Sequence, residues 1–173
     1  MTGMSTRMVF RPRPSHGWAW LASASLVVLA AAIVPILINP EPPPLPALLV
    51  TGGIGLGIGL PMLILSFWFP TMRYELDDAS LTLIYGPVLH YRIPLGAIRS
   101  IRHRDLRLSL WSSLRLPGLA LFRVPYADVG KVNMCSTAAL QGILLIETDG
   151  GLFGLTPADE KGLLAELSDR MGA

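Results

Sequence analysis

Five arginines, Arg99, Arg102, Arg104, Arg107 and Arg115, fall within one short stretch of the chain and have Trp111 among them. A guanidinium is a permanently charged planar fork that matches carboxylate or phosphate oxygens, and an indole ring suits the boundary between apolar and aqueous media. Together they have the chemistry of contact with an anionic lipid surface or a protein partner, so these six residues are the candidate contact site. The plainer reading makes the arginines solvated strand and loop charges, balanced by acids such as Asp105 and Glu147.

Residues that run reactions do not assemble in the same way. Asp77 and Asp78 belong to a tight turn, Asp149 to another, and Asp159 with Glu160 to a helix start. Cys135 is the single cysteine and has no metal-ligand spacing to His16, His90 or His103. Ser112 and Ser136 lack the sharp-turn motif of an activated nucleophile. The expectation is a non-catalytic protein with no metal and no cofactor; a membrane enzyme using Arg115 and Asp128 is the catalytic alternative.

The elements that position the arginines begin with two apolar runs. Residues 18–38 and 47–69 contain no charged side chain, and a bilayer core needs about 20 helical residues to be crossed. The eight residues between them, NPEPPPLP, contain five prolines, too stiff to continue a helix, so the two spans are antiparallel neighbours. Trp18 and Trp20 at one end, and Phe67, Trp68 and Phe69 at the other, are placed as interfacial aromatics. Small residues at 30–32 imitate a signal-peptide cleavage site, but the apolar run continues past them and a second span follows.

Within the second run, Gly53 and Gly57, and again Gly55 and Gly59, are spaced one helical turn apart. Such pairs allow close helix packing, either against Ala22, Ser23, Ser25, Ala30 or Ala31 of the first helix or against a second copy in a homo-oligomer. No Gly-Lys-Ser/Thr follows, so this is not a nucleotide loop. Pro61 predicts a kink near Gly57.

Charge sets the topology. Arg7, Arg11 and Arg13 precede the first helix, Glu41 lies in the connection, and eleven basic residues meet eleven acidic ones afterwards. A basic disordered tail at 1–17 stays inside, two crossings return the chain, and both termini are cytoplasmic. The remaining domain is neutral, which argues against nucleic acid as a partner.

From Met72 the hydrophobic period changes to two. Strand-like runs occupy 73–77, 80–85, 88–93 and 97–103, expected as a four-strand meander. An irregular stretch at 105–129 precedes runs at 130–137, 142–148 and 152–155, the last two joined by an Asp-Gly hairpin turn. Thr156 and Pro157 are placed as N-cap and first residue of a helix whose apolar face is Leu163, Leu164, Leu167 and Met171.

This order of elements, with Tyr74-Glu-Leu-Asp77, Ser80-Leu-Thr-Leu, Tyr91-Arg-Ile-Pro-Leu, Arg115-Leu-Pro-Gly118, Phe122 and the closing Gly142-Ile-Leu-Leu-Ile-Glu-Thr-Asp-Gly, resembles the bacterial PH-like domain family. Relatives carry glycine near a phenylalanine in the middle segment, where this chain has Ala120 before Phe122. The resemblance implies a membrane-anchored α+β protein: a transmembrane hairpin, then at 72–173 a seven-stranded PH-like β-sandwich or barrel capped by a C-terminal helix. It implies a binding or scaffolding role, the alternative being an accessory subunit docking on a membrane complex through residues 106–121. Inositol-phosphate-binding PH domains use a basic first hairpin loop, whereas this loop, Asp77 to Ser80, is acidic. Lipid contact therefore falls to the arginine patch, at about 1 kcal/mol per cation near an anionic surface.

Overall fold

The computed structural model describes residues 7–39, 41, 43–107, 115–116 and 118–172, with backbone alone at 115–116. The chain forms two units. His16–Pro70 is one; the residues before it and those from Thr71 onward form the other.

The first unit is a helical hairpin. Helix α1 spans Gly17–Ile38. The second apolar run forms α2, Leu45–Ile54, a π-helical turn at Gly55–Gly59, and α3, Leu60–Trp68. Pro61 has no N–H to give to Gly57, and its ring crowds that carbonyl. The predicted distortion takes the form of the wider turn, in which the Leu60 amide bonds to the Gly55 carbonyl five residues back. Ser25 Oγ donates to Gly59 O at 2.7 Å and Ser66 Oγ to Trp18 O at 2.9 Å, so the two rods run antiparallel. Both helices are long and apolar enough to cross a membrane, and only 17% and 11% of their apolar windows are buried, unlike helices in a soluble core.

The glycine pairs divide. Gly55 and Gly59 are buried against α1; a Cβ added at Gly59 would lie 2.9 Å from Leu29 Cγ, and one at Gly55 3.2 Å from Ala32 Cβ. Gly53 and Gly57 are exposed and would meet nothing within 4 Å. Of the small α1 residues expected at this contact, Ser25 is there, while Ser23, Ala30 and Ala31 are exposed and Ala32 takes their place.

The second unit contains two sheets and a helix. One sheet has the order β1-β2-β3-β4, all antiparallel. Its strands are Met8–Phe10 (β1), Arg73–Leu76 (β2), Ser80–Tyr85 (β3) and Leu89–Pro94 (β4). The arm expected to be a disordered tail therefore supplies an edge strand. Arg13 N bonds Thr156 O at 2.7 Å, Ala158 N bonds Arg11 O at 2.9 Å, and Ser15 Oγ bonds Gly118 O at 2.6 Å. These long-range partners leave no local pattern in so short a segment.

The other sheet has the order β5-β9-β10-β8-β7-β6. Its strands are Ile98–Arg104 (β5), Arg115–Leu116 (β6), Leu119–Tyr126 (β7), Gly130–Ser136 (β8), Ile143–Thr148 (β9) and Gly151–Leu155 (β10). Here too the structure differs from expectation. The predicted fourth strand of the meander leaves the first sheet, because Pro94 and a 3-10 turn at Leu95–Ala97 redirect it to pair with β9. Against the seven strands expected, the described residues hold four in one sheet and six in the other. The additions are β1, β6 and β7, the last hidden in the sequence by Pro125 and by Phe122, whose φ of 63° is left-handed. The Asp-Gly hairpin joins β9 to β10 as predicted, and β10 then pairs in parallel with β8.

Helix α4, Glu160–Met171, starts later than predicted. Asp159 caps it by accepting from Gly162 N at 2.9 Å, while the Thr156 hydroxyl is fully buried and accepts from Thr137 N at 2.8 Å. Leu163 and Leu167 are buried, whereas Met171 is exposed.

Strand alternation gives the first sheet a buried face of Tyr74, Leu76, Leu81, Leu83, Tyr85, Leu89 and Ile93. The second sheet is buried on both faces. Leu121, Cys135, Leu144, Ile146 and Leu155 lie on one, and a separate cluster of Ala120, Val124, Tyr126, Val132, Met134, Ile143 and Leu145 on the other, closed by Leu106. Gly154 belongs to that second face, where the missing Cβ leaves room for Met134 Sδ.

Candidate functional site

In strand β5, Ile98, Ser100 and Ile101 are half-buried, and all three of its arginines, Arg99, Arg102 and Arg104, are exposed. A bulge between Ile98 and Ser100 sets Arg99 apart, after which Ser100 pairs with Glu147, Arg102 with Leu145 and Arg104 with Ile143. Directly opposed residues share a face, so Ser100, Arg102 and Arg104 stand on one side of the sheet with Leu145 and Glu147. With Val129 and Leu152 they line a cavity of about 230 Å³.

The charges in this groove are unequal in their commitments. Arg99 is ion-paired with Asp149, both side chains well exposed, so the pair contributes little to stability. Arg104 Nε lies 3.7 Å from Asp128 Oδ2, and Asp128 Oδ1 also accepts from the Arg107 amide at 3.2 Å. Ser100 Oγ donates to Glu147 at 2.8 Å. Arg102 is exposed and has no ion pair or side-chain hydrogen bond among the described residues.

The structure thus brings Arg99, Arg102, Arg104 and Arg107 to one edge of the domain. Two are balanced by acids, as the plainer reading expected, but by Asp149 and Asp128, and not by Asp105 and Glu147. Asp105 instead accepts from Gly142 N at 2.8 Å. Trp111 and the side chain of Arg115 lie outside the described residues. The pairing of Arg115 with Asp128 falls there too, and Asp128 is already engaged. Leu145, Val129 and Leu152 are site residues that sequence reasoning missed, and only Leu145 had a signal, the alternation of β9.

The proposed docking segment 106–121 also changes. Leu106, Leu119 and Leu121 are each at most 4% exposed, so its ends are core and do not present a contact surface. Residues 108–114 and 117 lie outside the described ones.

Elsewhere, His103 Nδ1 lies 3.1 Å from Glu160 Oε1 at the start of α4. At the other end of the helix, Arg170 bonds Asp78 at 2.9 Å. Among the described residues no three His, Cys, Asp or Glu come together as a metal-binding group. Burial pushes the Cys135 thiol and the Tyr74 phenol well above their ordinary values, so both remain protonated.

No curated protein and no solved structure matches the chain. The family model of the bacterial PH domain matches residues 72–171, from the residue before β2 to the end of α4. β1 and the helical hairpin lie before that match. With two sheets, a C-terminal helix and a family match over more than half its length, the chain belongs to the bacterial PH domain family.

Proposed function

We propose that this protein is a membrane-anchored binding module without a catalytic role, held by the helical hairpin and displaying its PH domain in the cytoplasm. The observation that carries the anchored arrangement is the pairing of β1 with β2, Met8 with Leu76 and Phe10 with Tyr74. Residues 10 and 74 lie on either side of the hairpin in sequence, and they pair only if both are on one side of the bilayer. Two crossings satisfy that condition. Arg7, Arg11, Arg13 and Arg73 beside the helices favour the cytoplasmic side.

The surface offered to a ligand is the β5 edge. Arg99 and Arg104 have acidic partners and Glu147 is bonded to Ser100, so a broad anionic lipid surface would meet acids as well as arginines; a contact fitted to single positions such as Arg102, and hence a protein ligand, is favoured.

Single-cysteine variants test the anchoring. Native Cys135 is fully buried and stays silent to an impermeant maleimide. In sealed vesicles of the full chain, Glu41→Cys should label from one side and Asp169→Cys from the other. Labelling of both from the same side, or release of the protein by alkaline carbonate, would overturn the reading.

A further inference from the structure

We infer that an extended, acidic segment of a partner protein adds as a further strand to the free edge of β5. This rests on the binding-module reading and names the ligand of its surface.

The two sheets end in four edge strands, β1, β4, β5 and β6. β1 has 3 residues and β6 has 2, while β4 has 6 and ends in Pro94. β5 has 7 residues, contains no proline, and no described strand pairs on its other side. An edge of that length presents a row of backbone donors and acceptors, the template for strand addition.

Both faces beside this edge have places for side chains. A strand sends alternate residues to opposite faces. On one face lies the groove of Ser100, Arg102, Arg104, Val129, Leu145, Leu152 and Glu147, whose carboxylate already accepts from Ser100. On the other lies half-buried Ile101, and a cavity of about 420 Å³ opens where Asp78, Leu95, Gly96 and Ile98 meet Met171 and Arg170, the last ion-paired with Asp78.

Charge selects the occupant. Arg102 is uncommitted, and the pairs of Arg99 and Arg104 are exposed or long enough to be exchanged for a better carboxylate. A second copy is disfavoured, because two β5 edges side by side would oppose Arg99, Arg102 and Arg104 with the same cations. Charged edges commonly prevent strand pairing; here the prevention is selective, since it excludes neutral and basic strands and admits an acidic one.

The test uses the full chain in nanodiscs of neutral lipid and a short labelled peptide of alternating glutamate and valine. Anisotropy should report binding, and hydrogen exchange should slow at the amides of β5. Arg102→Glu should weaken binding roughly tenfold, the effect of ~1.4 kcal/mol. Because Arg102 is exposed, this variant keeps the fold. A peptide with proline at its centre should lose binding, since it lacks a ladder donor, and a lysine–valine peptide should not bind. Equal binding of the proline or lysine peptide, protection of β4 in place of β5, or protection of β5 only on anionic nanodiscs without peptide would each overturn the inference. The labelling experiment separates the two readings: failure here with Glu41 and Asp169 on opposite sides leaves the anchored module standing and removes only its peptide ligand.

Discussion

The hydroxyl of Tyr74, on β2, donates to the backbone carbonyl of Cys135, on β8, at 2.8 Å. It also accepts from Thr156 N at 3.2 Å, while Thr156 Oγ1 accepts from Thr137 N and Thr156 O accepts from Arg13 N. One buried phenol thus ties the first sheet, the second sheet and the segment that holds the N-terminal arm. Burial keeps it protonated, so the donor persists across the ordinary pH range.

Tyr74→Phe preserves the ring and removes only the oxygen. It leaves a buried carbonyl and a buried amide short of a partner, at a cost of about 1–3 kcal/mol. Thermal denaturation of the full chain in detergent should show a drop of several degrees, and an unchanged midpoint would remove the phenol from this role.

The N-terminal arm is structural. Glu75 is 6% exposed and sits between Arg7, with which it is ion-paired, and Arg73, whose Nε is 2.7 Å away. Arg7→Ala should destabilise the domain by about 1–2 kcal/mol, less than a fully buried pair because Arg7 is largely exposed. Glu75→Gln should make Arg7→Ala nearly neutral in a double-mutant cycle. The fragment 72–173, without β1, should be less stable still and should aggregate through the uncovered β2 edge. Equal stability of the fragment and the full chain would contradict this.

In the hairpin, Gly59→Leu must displace Leu29, whereas Gly57→Leu meets open space. The first should loosen the pair by about 1–3 kcal/mol, read as a lower midpoint and faster proteolysis near the connection. Gly57→Leu should leave both unchanged. Equal effects would show that the two faces are not distinguished.

Asp77 closes the β2–β3 turn. Burial raises its pKa, but hydrogen bonds from Ala79 N, Ser80 Oγ and Ser80 N, together with the charge of Arg92, outweigh that and lower it overall. A depressed carboxylate stabilises the fold above its unfolded pKa of about 4 and loses that contribution as pH falls through the folded value. Asp77→Asn should flatten this part of the acid-side stability curve and cost about 1 kcal/mol at neutral pH. A curve that falls as steeply in the variant would assign the acid sensitivity elsewhere.

The membrane-competent helices were legible because an uncharged run of that length has few other uses, and the β-domain because period-two alternation and an Asp-Gly turn are local signals. The glycine pairs were visible as pairs. Positions two residues apart differ by about 200° around a helix, so one pair had to face away, but only Leu29 and Ala32 decided which. The arginine patch was likewise visible as a cluster, without its division into Arg99 and Arg104, which have acidic partners, and Arg102, which has none among the described residues.

The sequence by itself determined two long apolar helices, a β-rich domain and a closing amphipathic helix, because each leaves a periodic imprint on consecutive residues. Tertiary structure alone decided that Met8–Phe10 is an edge strand, that β5 leaves its neighbours for β9, and that Leu106 is core. Those choices depend on which distant backbone offers an unpaired ladder and which face is already covered, and contacts between residues tens of positions apart write no period into the chain.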